Sequence, residues 1–409
     1  MSTVPERGLR GRAEVLTGSL GERFDPRRNH LGTIRLVLAL VVAVTHAMEL
    51  GFAHQPGIGG AFLSDLAVDA FFVLSGFLLA GSYLRLESVR RYAWHRFLRI
   101  MPAFWVCLLV IALVVAPLIA WLQGRAALSV FTGPQSAVDF LRANAFLPIR
   151  QFGIAGLPVD VLQAGVLNGS LWTLFYEALC YTFVIVLGLL GALRRRPAMA
   201  LAVVGLLWAV TALNTFGPQI ISQERFLRLT FMFLIGSVMS LYAGRIPMRS
   251  GLAAASVALV LAALVWLPDY RAVAAPAFGY LCLWLTVVRP PATNLRSDYS
   301  YGLYVYHWPI LQILAVTDTM RLTEPVFVLL GVILAFGAAV LSWVWVERPA
   351  LRFKDAAWVT RDRLMAPSPD QPTQTSGRLV RPVRPVRVMG SQELLDPRRP
   401  PRTEPEREA

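Results

Sequence analysis

About ten runs of close to twenty mostly apolar residues, separated by short polar breaks, dominate this chain: 32–51, 66–84, 100–122, 171–192, 198–215, 227–243, 251–267, 272–288, 299–317 and 326–346. A helix needs roughly 20 such residues to cross the hydrocarbon core of a bilayer. Lipid offers no partner to an open backbone, so a spanning segment must satisfy its own amides and carbonyls. The pattern therefore predicts an all-α integral membrane protein with about ten transmembrane helices. Only 16% of the 409 residues are charged, against about a quarter in soluble domains. The weakest runs are 251–267 and 272–288, joined by the polar break Pro268-Asp269-Tyr270-Arg271.

The arginines set an orientation. Arg23, Arg27 and Arg28 precede the first run, and Arg85, Arg90, Arg91, Arg96 and Arg99 follow the second. Arg194, Arg195 and Arg196, then Arg245, Arg249, Arg289 and Arg296, and finally Arg352 and Lys354 continue on the same side. Residues 52–65, on the other side, hold no Arg or Lys. Positive charge marks cytoplasmic loops, so both termini are expected in the cytoplasm. The net charge of +14 thus belongs to the ends of apolar runs. It forms no basic stripe on a soluble domain, which argues against a nucleic-acid partner.

Three domains are expected: a cytoplasmic segment over 1–30, a membrane domain over 31–350, and a disordered Arg/Pro-rich cytoplasmic tail over 351–409. The tail contains PVRPVRP, a composition that cannot bury a core. No cleavable signal peptide is expected, because the first thirty residues lack an apolar core. Residues 123–170 form an external connection longer than a passive link needs, and loops of that length are commonly functional. Cys107, Cys180 and Cys282 lie singly in apolar runs, so neither a disulfide framework nor a metal site is expected.

Several ionisable groups fall inside the apolar runs, where they are expensive and mark function. Arg35 and His46 are eleven residues apart, which on a helix is about 20° in direction and 16 Å in depth. They share one stripe, with Arg35 near the cytoplasmic surface and His46 in the outer half. Asp69 on the second run and Glu177 on the fourth fall at a depth similar to that of His46. A histidine beside a carboxylate is equipped for general base catalysis, its tautomer fixed by the carboxylate. Arg96 and Arg99, three apart, could join Arg35 to hold a phosphorylated ligand. Plain anchoring on the cytoplasmic side accounts for the same arginines. His307, among Tyr304, Tyr306 and Trp308, reads equally as a second polar site residue or a satisfied core histidine. Ser75, Gly76 and Gly81 read as small packing residues.

Six stretches, in this order, resemble acyltransferase family three, the polytopic bacterial membrane O-acyltransferases. They are the Arg35-to-His46 spacing, VDAFFVLSGFLL, RFLRIMP, GSLWTLFYE, DYSYGLYVYHWP and the closing VERP. The resemblance runs from about residue 30 to 350. It implies transfer of an acyl group, acetyl above all, from cytoplasmic acyl-CoA to a hydroxyl of a cell-envelope glycan or glycolipid. It makes His46 the catalytic base, with Arg35 in the same essential pair and Glu177 as the family's buried glutamate. It also implies a bacterial plasma (inner) membrane. In the mechanism expected, His46 is aided by Glu177 or Asp69. Arg35, Arg96 and Arg99 would hold the donor, and Trp172, Tyr304 and His307 the substrate. Thr173 stands where many members have Ser. The tail is too short for a fused esterase-like domain, so a second step would need a separate periplasmic partner. Two rivals stay open at this level: O-acylation of a glycosylated metabolite such as a macrolide, and a proton-coupled transporter using His46, Asp69 and Glu177 as a relay.

Overall fold

A computed structural model describes residues 18–86, 88–288, 297–317 and 322–356. The expected tail from 357 on, residues 1–17 of the leader, and Arg289 and Arg296 lie outside the described residues. The long helices are α1 (Leu31–Phe52), α2 (Leu63–Leu86), α3 (Val89–Val110), α4 (Trp172–Leu189) and α5 (Pro197–Phe216). They continue as α6 (Glu224–Leu241), α7 (Ser250–Trp266), α8 (Arg271–Val287), α9 (Ser300–Ala315) and α10 (Glu324–Ser342). α3 runs on through a π-helical turn, Ile111–Val115, into Ala116–Leu122.

Six of these helices are long and apolar enough to cross a membrane: α1, α2, α3 with its continuation, α4, α5 and α10 with its extension. Their composition makes this a multi-pass membrane protein. α7 and α8 are apolar but only 17 residues long, about 26 Å against a core of about 30 Å. α6 carries Glu224, Arg225 and Arg228 in its first turns, and α9 has 16 residues with His307 and Gln312 buried inside. α6, α8 and α9, less like membrane anchors, thus carry Arg228, Arg271 and His307 into the bundle.

The bundle has two distinguishable ends. At one, which we call the hairpin end, residues Gly57–Ile58 pair with Ala61–Phe62 in a small antiparallel hairpin. Gly59, at φ +58, meets the Leu264 carbonyl so closely that a Cβ would lie 1.7 Å from it. Ala53, in the left-handed conformation, ends α1 just before it. At the opposite, basic end, the leader helix Leu20–Arg23 is closed by a capping box between Ser19 and Glu22. It docks through the Leu20 amide, which donates to the Ile246 carbonyl at 2.8 Å.

α2 and α6 cross at backbone contact. A Cβ on Gly76 would lie 1.9 Å from the Phe233 carbonyl oxygen, and one on Gly236 would lie 2.0 Å from that of Val73. Without a hydrophobic force between helices in lipid, such close van der Waals approach is what holds them together. Gly76 is therefore the packing residue the sequence suggested.

Prolines inside helices free carbonyls one turn earlier, because Pro has no N–H to donate to residue i−4. Pro276 in α8 frees the Ala272 carbonyl, which accepts from the Trp208 indole of α5 at 2.8 Å. Pro309 in α9 frees Val305, which accepts from the side-chain amide of Asn168 at 2.8 Å. Each freed carbonyl staples a second element to the kinked helix.

Candidate active site

The long connection between α3 and α4 is ordered and reaches down to α9. Asn168 bonds Val305 as above. Ser170 Oγ donates to the Tyr304 carbonyl at 3.1 Å, and Gln312 Nε2 donates to the Val166 carbonyl at 2.7 Å. Gly169 has no room for a side chain, since a Cβ would sit 2.5 Å from the Trp308 ring. Thr173 Oγ1 lies 2.7 Å from Tyr304 Oη. The hydroxyl kept by Thr in place of Ser thus has a defined partner. Asn168→Ala would leave the buried Val305 carbonyl with only the weak thiol donor of Cys107, at 3.4 Å, a loss of about 1–3 kcal/mol. A lowered thermal midpoint of the purified protein in detergent is the expected reading.

The connection packs around an imidazole pair. His46 Nδ1 lies 2.8 Å from His307 Nε2. The rings are nearly parallel, 16° apart, with centroids 5.1 Å apart. The Trp308 ring meets His46 edge-on at 4.9 Å. His307 is fully buried, and its Nδ1 lies 3.1 Å from the Leu303 carbonyl oxygen one turn earlier on α9. His46 keeps some exposure. Both ring nitrogens of His307 are satisfied, by His46 and by the Leu303 carbonyl, so it is a satisfied buried histidine that also touches His46.

The expected carboxylate partners of His46 are elsewhere, which corrects the sequence reading. Asp69 is fully buried between two guanidiniums, with Arg228 Nε at 2.8 Å and Arg271 Nη2 at 2.6 Å. Tyr270 Oη donates to it at 2.8 Å. Arg228 also reaches Asp65 at 2.6 Å, and Arg271 reaches Asp269 at 2.9 Å. The physical reason is packing: α6 and α8 bring their arginines to the hairpin end of α2, and a buried carboxylate is tolerable only with such partners. Equal depth placed Asp69 beside His46, but direction around α2 turns it to the other side. Glu177 accepts from Tyr181 Oη at 2.5 Å. Among the described residues neither carboxylate hydrogen-bonds His46.

Glu177 instead faces Arg35 across a cavity of about 50 Å³ between α1, α2, α4 and α9, with Ser75, Thr173, Ser300 and Tyr304 also in its wall. Tyr304 also meets the His307 ring at a centroid distance of 6.0 Å. The cavity thus lies between the imidazole pair and the basic end.

At the basic end Asp298 is shared by two of the expected donor arginines, with Arg99 at 2.5 Å and Arg35 at 3.7 Å. Ser300 Oγ also donates to it. Burial alone would raise the Asp298 carboxyl. The Arg99 and Arg35 charges outweigh burial and hold it well below the usual carboxylate range. A lowered folded-state value stabilises at neutral pH and is lost only as pH falls through it. Glu347, from the VERP stretch, accepts from Ser342 at 3.0 Å and lies 3.7 Å from Arg99. Arg96 points away, over the Tyr92 and Tyr181 rings at 5.8 and 5.9 Å. Among the described residues it has no carboxylate partner. Sequence reasoning missed Asp298 and Glu347, although each lies within a quoted motif close to the clustered arginines.

A second, open cleft of about 710 Å³ lies at the hairpin end. Trp172, Asp65, Asn214, Glu224, Arg225 and Arg228 are in its wall. Arg225 stacks over the Trp172 indole at 4.7 Å. Asp65 and Trp172 line this cleft, whereas Val68 and Thr173, next along the same two helices, line the inner cavity. Trp172 therefore stands at the boundary of the two spaces, while Tyr304 lines only the inner one. Among the described residues no group of three or more His, Cys, Asp or Glu is placed to hold a metal ion.

A partly exposed histidine braced by a second one, with an arginine cluster at one end and a polar cleft at the other, is thus set in a multi-pass helical bundle. The chain belongs to acyltransferase family three: the family's acyltransferase domain matches residues 29–344. It is 26% identical over 344 residues to a protein named O-acetyl transferase from Shigella phage Sf6, covering 79% of this chain and 96% of that one. It is 27% identical over 380 residues to nodulation protein 10 of Rhizobium leguminosarum bv. viciae, covering 82% of this chain and 97% of the relative. No solved structure matches significantly.

Proposed function

We propose that the protein is an O-acyltransferase. It moves an acyl group, acetyl in the first instance, from acyl-CoA at the basic end to a hydroxyl of a cell-envelope glycan or glycolipid at the hairpin end. The supporting observation is the arrangement along α1. Arg35 joins the arginine cluster and lines the inner cavity, and His46, three turns on, pairs with His307. In this reading the bundle crosses a bacterial inner membrane ten times with both termini cytoplasmic. The short helices α6 to α9 cross where neighbouring helices cover their polar groups.

His46 takes the proton of the acceptor hydroxyl as the oxygen attacks the thioester carbonyl. The C–O bond forms, the C–S bond breaks, and the thiolate recovers the proton. Arg96 binds donor phosphate most directly, because Arg35 and Arg99 already share Asp298. The cleft has the size and polarity for a sugar: Arg225 and Arg228 offer donors and Asp65 and Glu224 acceptors in its wall, beside the Trp172 ring.

The test uses purified protein in lipid nanodiscs with radiolabelled acetyl-CoA and an envelope glycan fraction. Arg96→Ala is expected to raise the KM for acetyl-CoA about 10- to 100-fold, the worth of a charged hydrogen bond of about 1.5–3 kcal/mol. A donor KM unchanged by this substitution would remove Arg96 from the donor site. Failure of the wild type to transfer label would reject the reading itself.

A further inference from the structure

The hydrogen bonds around the imidazole pair carry directional information. A carbonyl oxygen only accepts, so the proton between His307 Nδ1 and the Leu303 carbonyl, 3.1 Å apart, belongs to His307 Nδ1. A neutral imidazole carries one N–H, and its other nitrogen is an acceptor. His307 Nε2 therefore presents a lone pair. His46 Nδ1 lies 2.8 Å from that lone pair, and it must donate. Neutral His46 then bears its proton on Nδ1 and leaves Nε2 free.

We propose that His307 is the positioning residue of the active site, holding His46 in the Nδ1–H tautomer and so presenting Nε2 as the base. This rests on the reading of His46 as the base. It assigns to a histidine and a backbone carbonyl the work that a carboxylate does in many hydrolases. The surroundings reinforce the geometry. His307 is fully buried, and the Trp308 edge fixes the His46 ring from a second direction. Asn168 and Ser170 hold the backbone of α9 at Val305 and Tyr304, within a turn of His307.

The chemistry balances without a carboxylate. When the acceptor O–H breaks, its proton forms the Nε2–H bond of His46. The resulting imidazolium keeps its Nδ1–H bonded to His307 Nε2, so a neutral lone pair faces the new positive charge. The oxygen's electron pair forms the ester C–O bond, and the C–S electrons leave with sulfur. The Nε2 proton then passes to the thiolate, restoring the starting tautomers.

Two measurements test this. Nitrogen-15 and carbon-13 chemical shifts of labelled histidine in the wild type, assigned by loss of the signal in His46→Ala, report the tautomer directly. His46 as Nδ1–H is expected, and His46 as Nε2–H overturns the proposal whether or not the protein is active. In parallel, His307→Leu removes the acceptor, while His307→Gln retains a carbonyl oxygen toward His46 and an N–H toward Leu303. His307→Leu is expected to lower kcat about 10²- to 10⁴-fold, the usual weight of a positioned base. The KM for acetyl-CoA should stay within about two-fold of the wild type. The Gln variant should be at least about 10-fold faster than the Leu variant. Equal loss in the Leu and Gln variants, with the His46 shifts unmoved in Gln, also overturns it. If His46→Ala instead retained full transfer, the reading of His46 as base would fall while the tautomer assignment stood.

Discussion

Purified protein carrying His46→Ala is expected to bind acetyl-CoA normally and to transfer its acyl group at least about 10²- to 10⁴-fold more slowly. The expectation rests on position. His46 has a ring nitrogen committed to His307 and a partly exposed ring. None of the donor-end contacts of Arg35, Arg96 or Arg99 involves it. Removal should therefore lower kcat and leave the donor KM in place, the pattern of a group used only in the transition state. Equilibrium binding of CoA, measured alongside single-turnover transfer, separates these quantities. A variant that transferred at the wild-type rate would end the assignment.

Asp69→Ala should act on the fold instead. It would remove the buried carboxylate that Arg228 and Arg271 share, leaving the two guanidiniums to repel each other with only the more exposed Asp65 and Asp269 as partners. Breaking a buried ion pair by removing one partner costs about 3–5 kcal/mol, a large fraction of the 5–15 kcal/mol by which domains are stable. Little folded protein should survive purification, and what survives should melt early. The diagnostic variant is Asp69→Asn, which keeps the shape and some hydrogen bonds. Whatever fraction folds should retain a kcat within a few-fold of the wild type, about 1 kcal/mol. A well-folded Asn variant with kcat down a hundredfold or more would return Asp69 to the catalytic machinery.

Much of the architecture could be read from apolar runs, because a bilayer imposes length and composition on whatever crosses it. Depth was legible only in part: helical rise put Arg35 and His46 three turns apart, but Glu177, expected level with His46, lines the inner cavity with Arg35. Lateral position was not. Helical rise expects Asp69 level with His46, yet only the packing of α6 and α8 against α2 shows that Asp69 faces Arg228 and Arg271. Those arginines were hidden at the edge of one run and inside the polar break before another. His307 could be found by its motif, but its partner could not, since nothing in a linear sequence says which of two nitrogens meets which neighbour. Asn168 was the least visible. Its purpose depends on a carbonyl freed by Pro309, more than a hundred residues later.

The crossing of α2 and α6 limits how this bundle can move. With no side chain between the backbones at Gly76 and Gly236, one helix cannot slide past the other without first lifting off it. Relative motion is left mainly with rocking about that point. Displacement on one side of the pivot is then answered by opposite displacement on the other. A hinge of this kind would couple the width of the hairpin end inversely to that of the basic end.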